Sequence, residues 1–265
     1  MTRLDAALAA RGLARSRTHA ATLISEGRVR VDGVPVVKAS TPVDDEDVIH
    51  VDGDDHYVSR GAHKLIAALD GFGIAVPGRL ALDMGASTGG FTQVLRERGA
   101  RRVLAVDVGH GQLADAVAAD PGVTSVEGFN VRHMTAANLT EATGESERPD
   151  LVVGDLSFIS LELVLPAVAG VVAPGGDVVL LVKPQFEVGR TAVRGGLVTN
   201  PTLRIDAVER TLWAAHDVGL GMLGILASPI RGTHGNAEYL VHVAPGRGSD
   251  PSEWTKQITR VAGGR

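Results

Sequence analysis

Residues 80–92 read Leu-Ala-Leu-Asp-Met-Gly-Ala-Ser-Thr-Gly-Gly-Phe-Thr: an apolar run closed by an acid, a turn of small residues, and the start of a helix. Glycines 85, 89 and 90 let the backbone come close to a molecule lying over the strand's carboxyl end, where ligands settle in open α/β sheets. Three chemistries compete for this turn. A pyrophosphate grip asks for G-x-G-x-x-G, and Ser87 occupies the second glycine's place. Gly85-Ala86-Ser87-Thr88-Gly89 satisfies G-x-S-x-G, which would make Ser87 a hydrolase nucleophile. That match is generic in a chain with 33 glycines, and no His-Gly-Gly-Gly segment precedes it. The third chemistry is a pocket for S-adenosylmethionine: Asp83 ends one strand and a second acid, Asp107, closes the next. Two carboxylate oxygens at that distance downstream suit a pair of ribose hydroxyls. On this reading Asp83, Gly85, Ser87, Thr88, Gly89, Gly90, Phe91 and Asp107 form the donor site, with Asn130, after Gly128-Phe129, at the adenine edge or simply in a turn.

Four more polar residues fall where such a sheet would gather them. Asp155 follows the apolar run 151–154, Lys183 ends 178–182, Glu238 begins the last strand, and Lys64 lies on the first helix after residue 59. Strand carboxyl ends share one edge, so Asp155 and Lys183 are expected beside the Asp83 turn. Glu238 stands on a strand of opposite direction that enters at the same edge. Lys64 alone reads as a surface residue.

The elements that must position these groups alternate from residue 80 onward. Strands are expected near 80–84, 103–107, 123–126, 151–154 and 177–182, with helices near 60–72, 90–98, 112–119, 135–142, 160–172 and 202–216. Runs such as 177–182 are apolar on both faces, as a sheet covered by helices on both sides requires. The closely spaced runs 222–230 and 239–243 predict an antiparallel pair at the end of a parallel sheet.

The first 51 residues read as a separate unit. Leu4, Leu8 and Leu13 predict a short helix, Ser16 caps a second that Gly27 stops, and Asp32-Gly33 turns a hairpin. Residues 1–38 carry seven basic and three acidic side chains, while 44–55 hold seven acids and no base. A local basic surface is therefore expected despite a net charge of -5. Residues 52–58 read as an acidic linker, 59–245 as the larger domain, and 246–265 as a polar tail with at most a short helix.

With 44% apolar residues the chain can build a sizeable core. It has no cysteine, which excludes disulfides and thiolate metal sites, and its nine histidines show no metal-ligand spacing. The start lacks an apolar signal core, and the best apolar candidate for a membrane span, 163–176, is interrupted by Pro166, Gly170 and Pro174. A soluble cytoplasmic protein is expected.

The amino-terminal pattern Arg-Leu-Asp, Arg-Gly-Leu-Ala-Arg-Ser-Arg and Leu-Ile-Ser-Glu-Gly-Arg-Val-Arg-Val-Asp-Gly resembles the S4 RNA-binding module. Further on, Ser59-Arg60-Gly61-Ala62-His63-Lys64-Leu65, residues 82–92, Gly154-Asp155-Leu156-Ser157-Phe158-Ile159-Ser160, Lys183-Pro184-Gln185-Phe186-Glu187 and Gly235-Asn236-Ala237-Glu238 together resemble the TlyA family. The likeness runs from Arg3 to about Ala244, with several long motifs in order. It implies an S4 domain joined to an FtsJ-like, Rossmann-like methyltransferase with a mostly parallel seven-stranded sheet and one antiparallel strand. The activity implied is S-adenosylmethionine-dependent 2'-O-methylation of ribosomal RNA, on cytidine, by a monomer.

The same resemblance implies a Lys-Asp-Lys-Glu catalytic tetrad at Lys64, Asp155, Lys183 and Glu238, with Asp155 also near the donor's methyl. A lysine at its reference pKa of about 10.4 is mostly protonated, so Lys183 acts either as a neutral base after deprotonation or as a cation facing a developing alkoxide. RNA contacts are expected from Arg3, Arg15, Arg17, Arg28, Lys38 and Arg60, and from Arg190 and Arg194 in a glycine-rich loop. Phe158 and Phe186 stack on a flipped base or pack in the core. Two other classes compete: a noncatalytic RNA-binding adaptor, and the membrane-active protein that the family's haemolysin label brings with it.

Overall fold

The computed structural model describes residues 2–11, 13–14, 16–51, 56–189, 193, 195–232 and 235–264. The chain divides into two compact units, Met1–His56 and Tyr57–Arg265.

The first unit contains β1 (Thr2–Arg3), α1 (Leu4–Ala10), α2 (Arg17–Ser25), β2 (Val29–Val31), β3 (Val34–Val36), β4 (Pro42–Val43) and β5 (Ile49–Val51). Leu4, Leu8, Leu23, Ile24 and Val29 close its core with Ile49 and Val51. Ser16 caps α2 by accepting from the His19 N–H at 3.1 Å, which satisfies one of the free donors at the helix start. Asp32 and Gly33 both take positive φ, 49° and 80°, the conformation a two-residue hairpin between β2 and β3 demands. β2 is central, with β3 on one side and β5 on the other. Sequence periodicity did not disclose β5, because three residues after an acidic turn carry too short a pattern. The turn is held by Arg11, whose guanidinium donates to the carbonyls of Asp44 and Asp47.

The second unit runs α3 (Gly61–Phe72), β6 (Leu80–Met84), α4 (Gly90–Glu97), β7 (Arg102–Val106), α5 (Asp115–Ala118), β8 (Val123–Val126), α6 (Ala136–Thr143), β9 (Leu151–Gly154), α7 (Leu165–Val171), β10 (Asp177–Val182), α8 (Pro184–Glu187), α9 (Pro201–Asp217), β11 (Leu220–Ala227), β12 (Tyr239–Pro245) and α10 (Thr255–Ala262). Seven strands lie in the order β11-β12-β10-β9-β6-β7-β8. Only β12 runs against its neighbours, antiparallel to both β10 and β11. Alternation along the strands fills both faces: Val178, Leu180 and Val182 enter one apolar cluster, Val179 and Leu181 the other with Leu65, Leu69, Val94 and Leu95 of α3 and α4. Between β6 and β9 the order reverses, which opens a crevice at their carboxyl ends.

Three expectations change. The helix expected at 160–172 is a 3-10 turn at Leu161–Leu163 followed by α7, because Pro166 has no N–H to continue a single ladder and fits instead in a helix's first turn. Val58, placed in the linker, belongs to the second unit and donates its N–H to Gln93 at 2.9 Å. The segment 246–265, expected as a polar tail with at most a short helix, does hold one short helix, α10, but packs into the domain core. Ile258 and Ala262 of α10 are fully buried in the larger core, and buried Arg204 donates to the carbonyls of Ala262 and Gly264 at 3.1 and 2.7 Å. The apolar residues of α10, Ile258, Val261 and Ala262, form one short stripe among polar ones, over too few turns to stand out in sequence.

Candidate active site

Strand register decides which side chains meet. β9 stops at Gly154, which lies opposite Met84 on one side and Leu180 on the other. Asp155 therefore leaves the sheet beside the Gly85 turn. β10 continues to Val182, opposite Tyr239, so Lys183 at a strand's end and Glu238 at an antiparallel strand's start share one edge. Lys64 comes from the first turns of α3, whose Ala62, Leu65, Ala68 and Leu69 are buried against the sheet.

The four side chains form one chain of alternating charge. Glu238 Oε2 is 2.7 Å from Lys64 Nζ, Lys64 Nζ is 3.2 Å from Asp155 Oδ2, and Asp155 Oδ1 is 2.6 Å from Lys183 Nζ. The first and last of these contacts are at ion-pair distance without hydrogen-bond alignment. Lys183 also donates to Ser157 Oγ at 2.8 Å. Lys64, Lys183 and Glu238 are buried, an arrangement that removes charge from water only because each has an opposite neighbour. They line a cavity of about 330 Å³ with Gly85, Ser87, Thr88, Gly90, Phe91, Arg60 and Arg231. Lys64, the residue that reads as surface in isolation, is thus the middle of a buried network.

A second cavity, of about 600 Å³, shares Gly85, Ser87, Asp155 and Ser157 with the first and extends past Asp107, Asn130, Val108, Phe129 and Ile159. Asp107 accepts the Ser87 N–H on Oδ2 at 2.9 Å and the Gly109 N–H on Oδ1 at 2.7 Å, so each oxygen keeps one acceptor position for a hydroxyl. Asn130 caps the turn Val131–His133 through its carbonyl oxygen, 3.0 Å from the Arg132 N–H. The turn role is thus seen, and the residue also lines the cavity. Acceptors at Asp107 beside the apolar wall of Val106, Val108, Phe129, Val131 and Ile159 fit an adenosine group.

Asp83 behaves differently from expectation. It lies beneath the turn, 1% exposed, and lines neither cavity. Thr92 Oγ1 donates to its Oδ2 at 2.6 Å, while Oδ1 is buried with no partner. Burial pushes this carboxyl up to about 7 against the opposing pull of the Thr92 bond. A buried acid with an unanswered oxygen is a place whose charge a cationic ligand group would favour. Gly89, at φ 96°, turns the chain into α4 without lining a cavity. A Cβ at Gly90 would collide with the Ser59 hydroxyl and crowd the backbone N of Ala62. Phe91, 5% exposed, is chiefly core.

Of the basic residues expected to touch RNA, Arg3 and Arg17 sit 3.0 and 3.3 Å from Asp5 and leave more than half of each side chain exposed. Arg28 lies 3.8 Å from Glu26 and Lys38 is exposed. Arg60 borders the tetrad cavity. Arg15, Arg190 and Arg194 fall outside the described residues.

The structure adds residues that sequence reasoning passed over. Ser157 binds Lys183; its signal was its position two residues past Asp155, on the same side of an extended chain. Arg231, at the cavity rim, donates to the Gly235 carbonyl at 3.1 Å. Glu187 is buried, accepts from Ser160 Oγ at 2.6 Å and from the Leu161 N–H at 3.0 Å, and is raised by burial. Nothing in composition marks it. Phe158 is 91% exposed at φ 64°, its ring 5.3 Å from that of Phe186; the core reading of this residue is excluded.

A Rossmann-like sheet with an antiparallel strand near one edge, a split crevice at the strand-order reversal and a lysine–carboxylate chain beside it define an S-adenosylmethionine-dependent methyltransferase. Residues 57–244 match the FtsJ-like methyltransferase family and residues 2–49 the S4 domain. Over 242 residues the sequence is 52% identical to "16S/23S rRNA (cytidine-2'-O)-methyltransferase TlyA" of Mycobacterium tuberculosis, covering 90% of this chain and 88% of that one. "Hemolysin A" of Brachyspira hyodysenteriae is 38% identical over 91% of this chain and 98% of its own. A solved structure from Streptococcus thermophilus with a provisional hemolysin label superimposes with a TM-score of 0.76 at 37% identity, covering 98% of this chain and 94% of that one. The chain belongs to the TlyA family of S4-plus-FtsJ-like methyltransferases. Among the described residues no helix is long and apolar enough to cross a membrane.

Proposed function

We propose that this protein methylates the 2'-hydroxyl of cytidine in ribosomal RNA, working in the cytoplasm as a monomer on ribosomal subunits. The observation that carries the reading is the Glu238–Lys64–Asp155–Lys183 chain at the junction of two cavities, one suited to an adenosine group and the other lined by the lysines. The 52% identity to a relative named for cytidine 2'-O-methylation supports the choice of base.

S-adenosylmethionine, when bound, supplies a methyl group already activated by its sulfonium. The protein's share is alignment and the fate of one proton. Lys183 Nζ meets the ribose hydroxyl, taking its proton when neutral, or, when charged, donating to the forming oxyanion while the hydroxyl proton passes to solvent water. Asp155 holds Lys183 with one oxygen and Lys64 with the other, and Glu238 fixes Lys64 from behind. Gly85, Ser87, Asp107 and Asn130 hold the donor, with Asp83 beneath favouring its cationic end. Phe158 and Phe186 stack on the target base once it leaves its helix. Arg60 and Arg231 take flanking phosphates, and Arg3, Arg17, Arg28 and Lys38 grip structured RNA through the S4 domain.

The test is purified protein with methyl-labelled donor and ribosomal subunits or free rRNA, followed by mapping of ribose methylation. Label on a cytidine 2'-oxygen is expected. Label on bases alone, or none on any rRNA, overturns the reading.

A further inference from the structure

The amine of Lys183 has three directions besides its bond to Cε. Asp155 Oδ1 occupies one at 2.6 Å and Ser157 Oγ a second at 2.8 Å. One is left. A neutral amine has two N–H bonds and a lone pair; one N–H is donated to Ser157 Oγ, and with the other turned towards Asp155 the remaining direction is the lone pair. A charged amine presents its third N–H there. The ion pair with Asp155, which lacks hydrogen-bond alignment, would by itself leave the amine free to turn about the Cε–Nζ bond, so the aligned bond to Ser157 determines where that third direction points.

Ser157 is well placed for this. It lines both cavities, whereas Lys183 lines only the smaller one. Its loop is tied at both ends to one short segment: Ser157 to Lys183, and Ser160 and Leu161 to the buried carboxylate of Glu187, four residues along the same turn of chain. Between the ties Phe158 is held in the left-handed region at φ 64°, a conformation that a bulky residue keeps only when its surroundings impose it. A loop strained and fastened in this way gives the Ser157 hydroxyl a set position.

We infer that Ser157 is a positioning residue for methyl transfer: with Asp155 it holds the Lys183 amine so that its third direction faces the ribose oxygen. The inference rests on the reading of Lys183 as the group that meets the ribose hydroxyl.

The experiment measures single-turnover methylation of rRNA at saturating donor and RNA, with separate binding titrations of both, for the wild type, Ser157→Ala, Ser157→Thr and Lys183→Ala. Ser157→Ala is expected to slow the step by about ten-fold or more while leaving both affinities within about two-fold, the signature of an interaction used in the transition state. Ser157→Thr, which retains the hydroxyl, is expected to recover most of the rate. Ser157→Cys keeps the volume with a weaker acceptor and carries the alanine expectation if the alanine variant does not fold. A wild-type rate in Ser157→Ala, or loss of rate and both affinities together with no recovery in Ser157→Thr, overturns the inference. Full turnover in Lys183→Ala would instead sink the reading on which it rests.

Discussion

Lys64 Nζ lies 2.7 Å from Glu238 Oε2, joining the first helix of the catalytic unit to the start of its last strand. Both side chains are at least nine-tenths buried. Removing Glu238 leaves buried Lys64 with Asp155 alone, 3.2 Å away and shared with Lys183. Glu238→Ala is expected to destabilise the protein by about 3 kcal/mol and to lower methylation, read by denaturant unfolding and by rate. The pair would be irrelevant if unfolding and turnover both matched the wild type.

Lys183→Ala is expected to abolish methyl transfer while donor affinity stays within about two-fold of the wild type. The cavity that fits the donor does not include Lys183 in its wall, so the two readouts separate. Calorimetric titration of the donor and a methylation assay on the same preparation check it.

Asp83 supplies a pH dependence. Its folded-state value is raised to about 7 by burial, above the reference of about 3.9. The folded protein thus binds this proton more tightly than the unfolded chain. The stability it contributes is complete below the unfolded value and is lost as pH rises towards and through 7. A cationic donor favours the carboxylate, so donor affinity is expected to rise with pH through this range and level off above it. Asp83→Asn should melt higher than the wild type at pH 8 without donor, bind donor more weakly, and lose the pH dependence. A flat affinity profile from pH 5.5 to about 8 in the wild type would show that Asp83 does not respond to the ligand.

Phe158→Ala should leave stability nearly unchanged, since the ring is exposed and alanine would carry the same left-handed backbone strain. Methylation of folded RNA is expected to fall by about ten-fold if the ring stacks on the target base, worth about 1–3 kcal/mol. Equal rates for the two proteins would remove it from substrate contact.

In the S4 domain, Arg17→Ala should weaken RNA binding across sequences and reduce the salt slope by about one unit. Affinities measured between low and moderate salt test this. A slope identical to the wild type would mean the guanidinium serves only its pair with Asp5.

Much of this architecture was legible beforehand because alternation is a local property. The run 177–182, apolar at every position after its first, announces a strand covered on both faces, and Asp32-Gly33 announces a hairpin, whatever the rest of the chain does. The same holds for Ser16 at the start of α2. Ile49–Val51 and the burial of α10 were not legible, because their apolar residues are too few to make a pattern and are buried only through partners distant in sequence.

The site divides along the same line. The types and order of Lys64, Asp155, Lys183 and Glu238, and the turn between Asp83 and Gly90, stand in the sequence and bound the chemistry. Their convergence was decided by register: Gly154 opposite Met84 and Leu180, and Val182 opposite Tyr239, set four distant side chains on one edge. Burial decided the rest. It turned Lys64 from an apparent surface lysine into a paired interior one, put Asp83 below the cavity wall, and brought Ser157 and Glu187 into the site. Charge pairing and desolvation depend on three-dimensional neighbours, and a linear order of residues does not contain them.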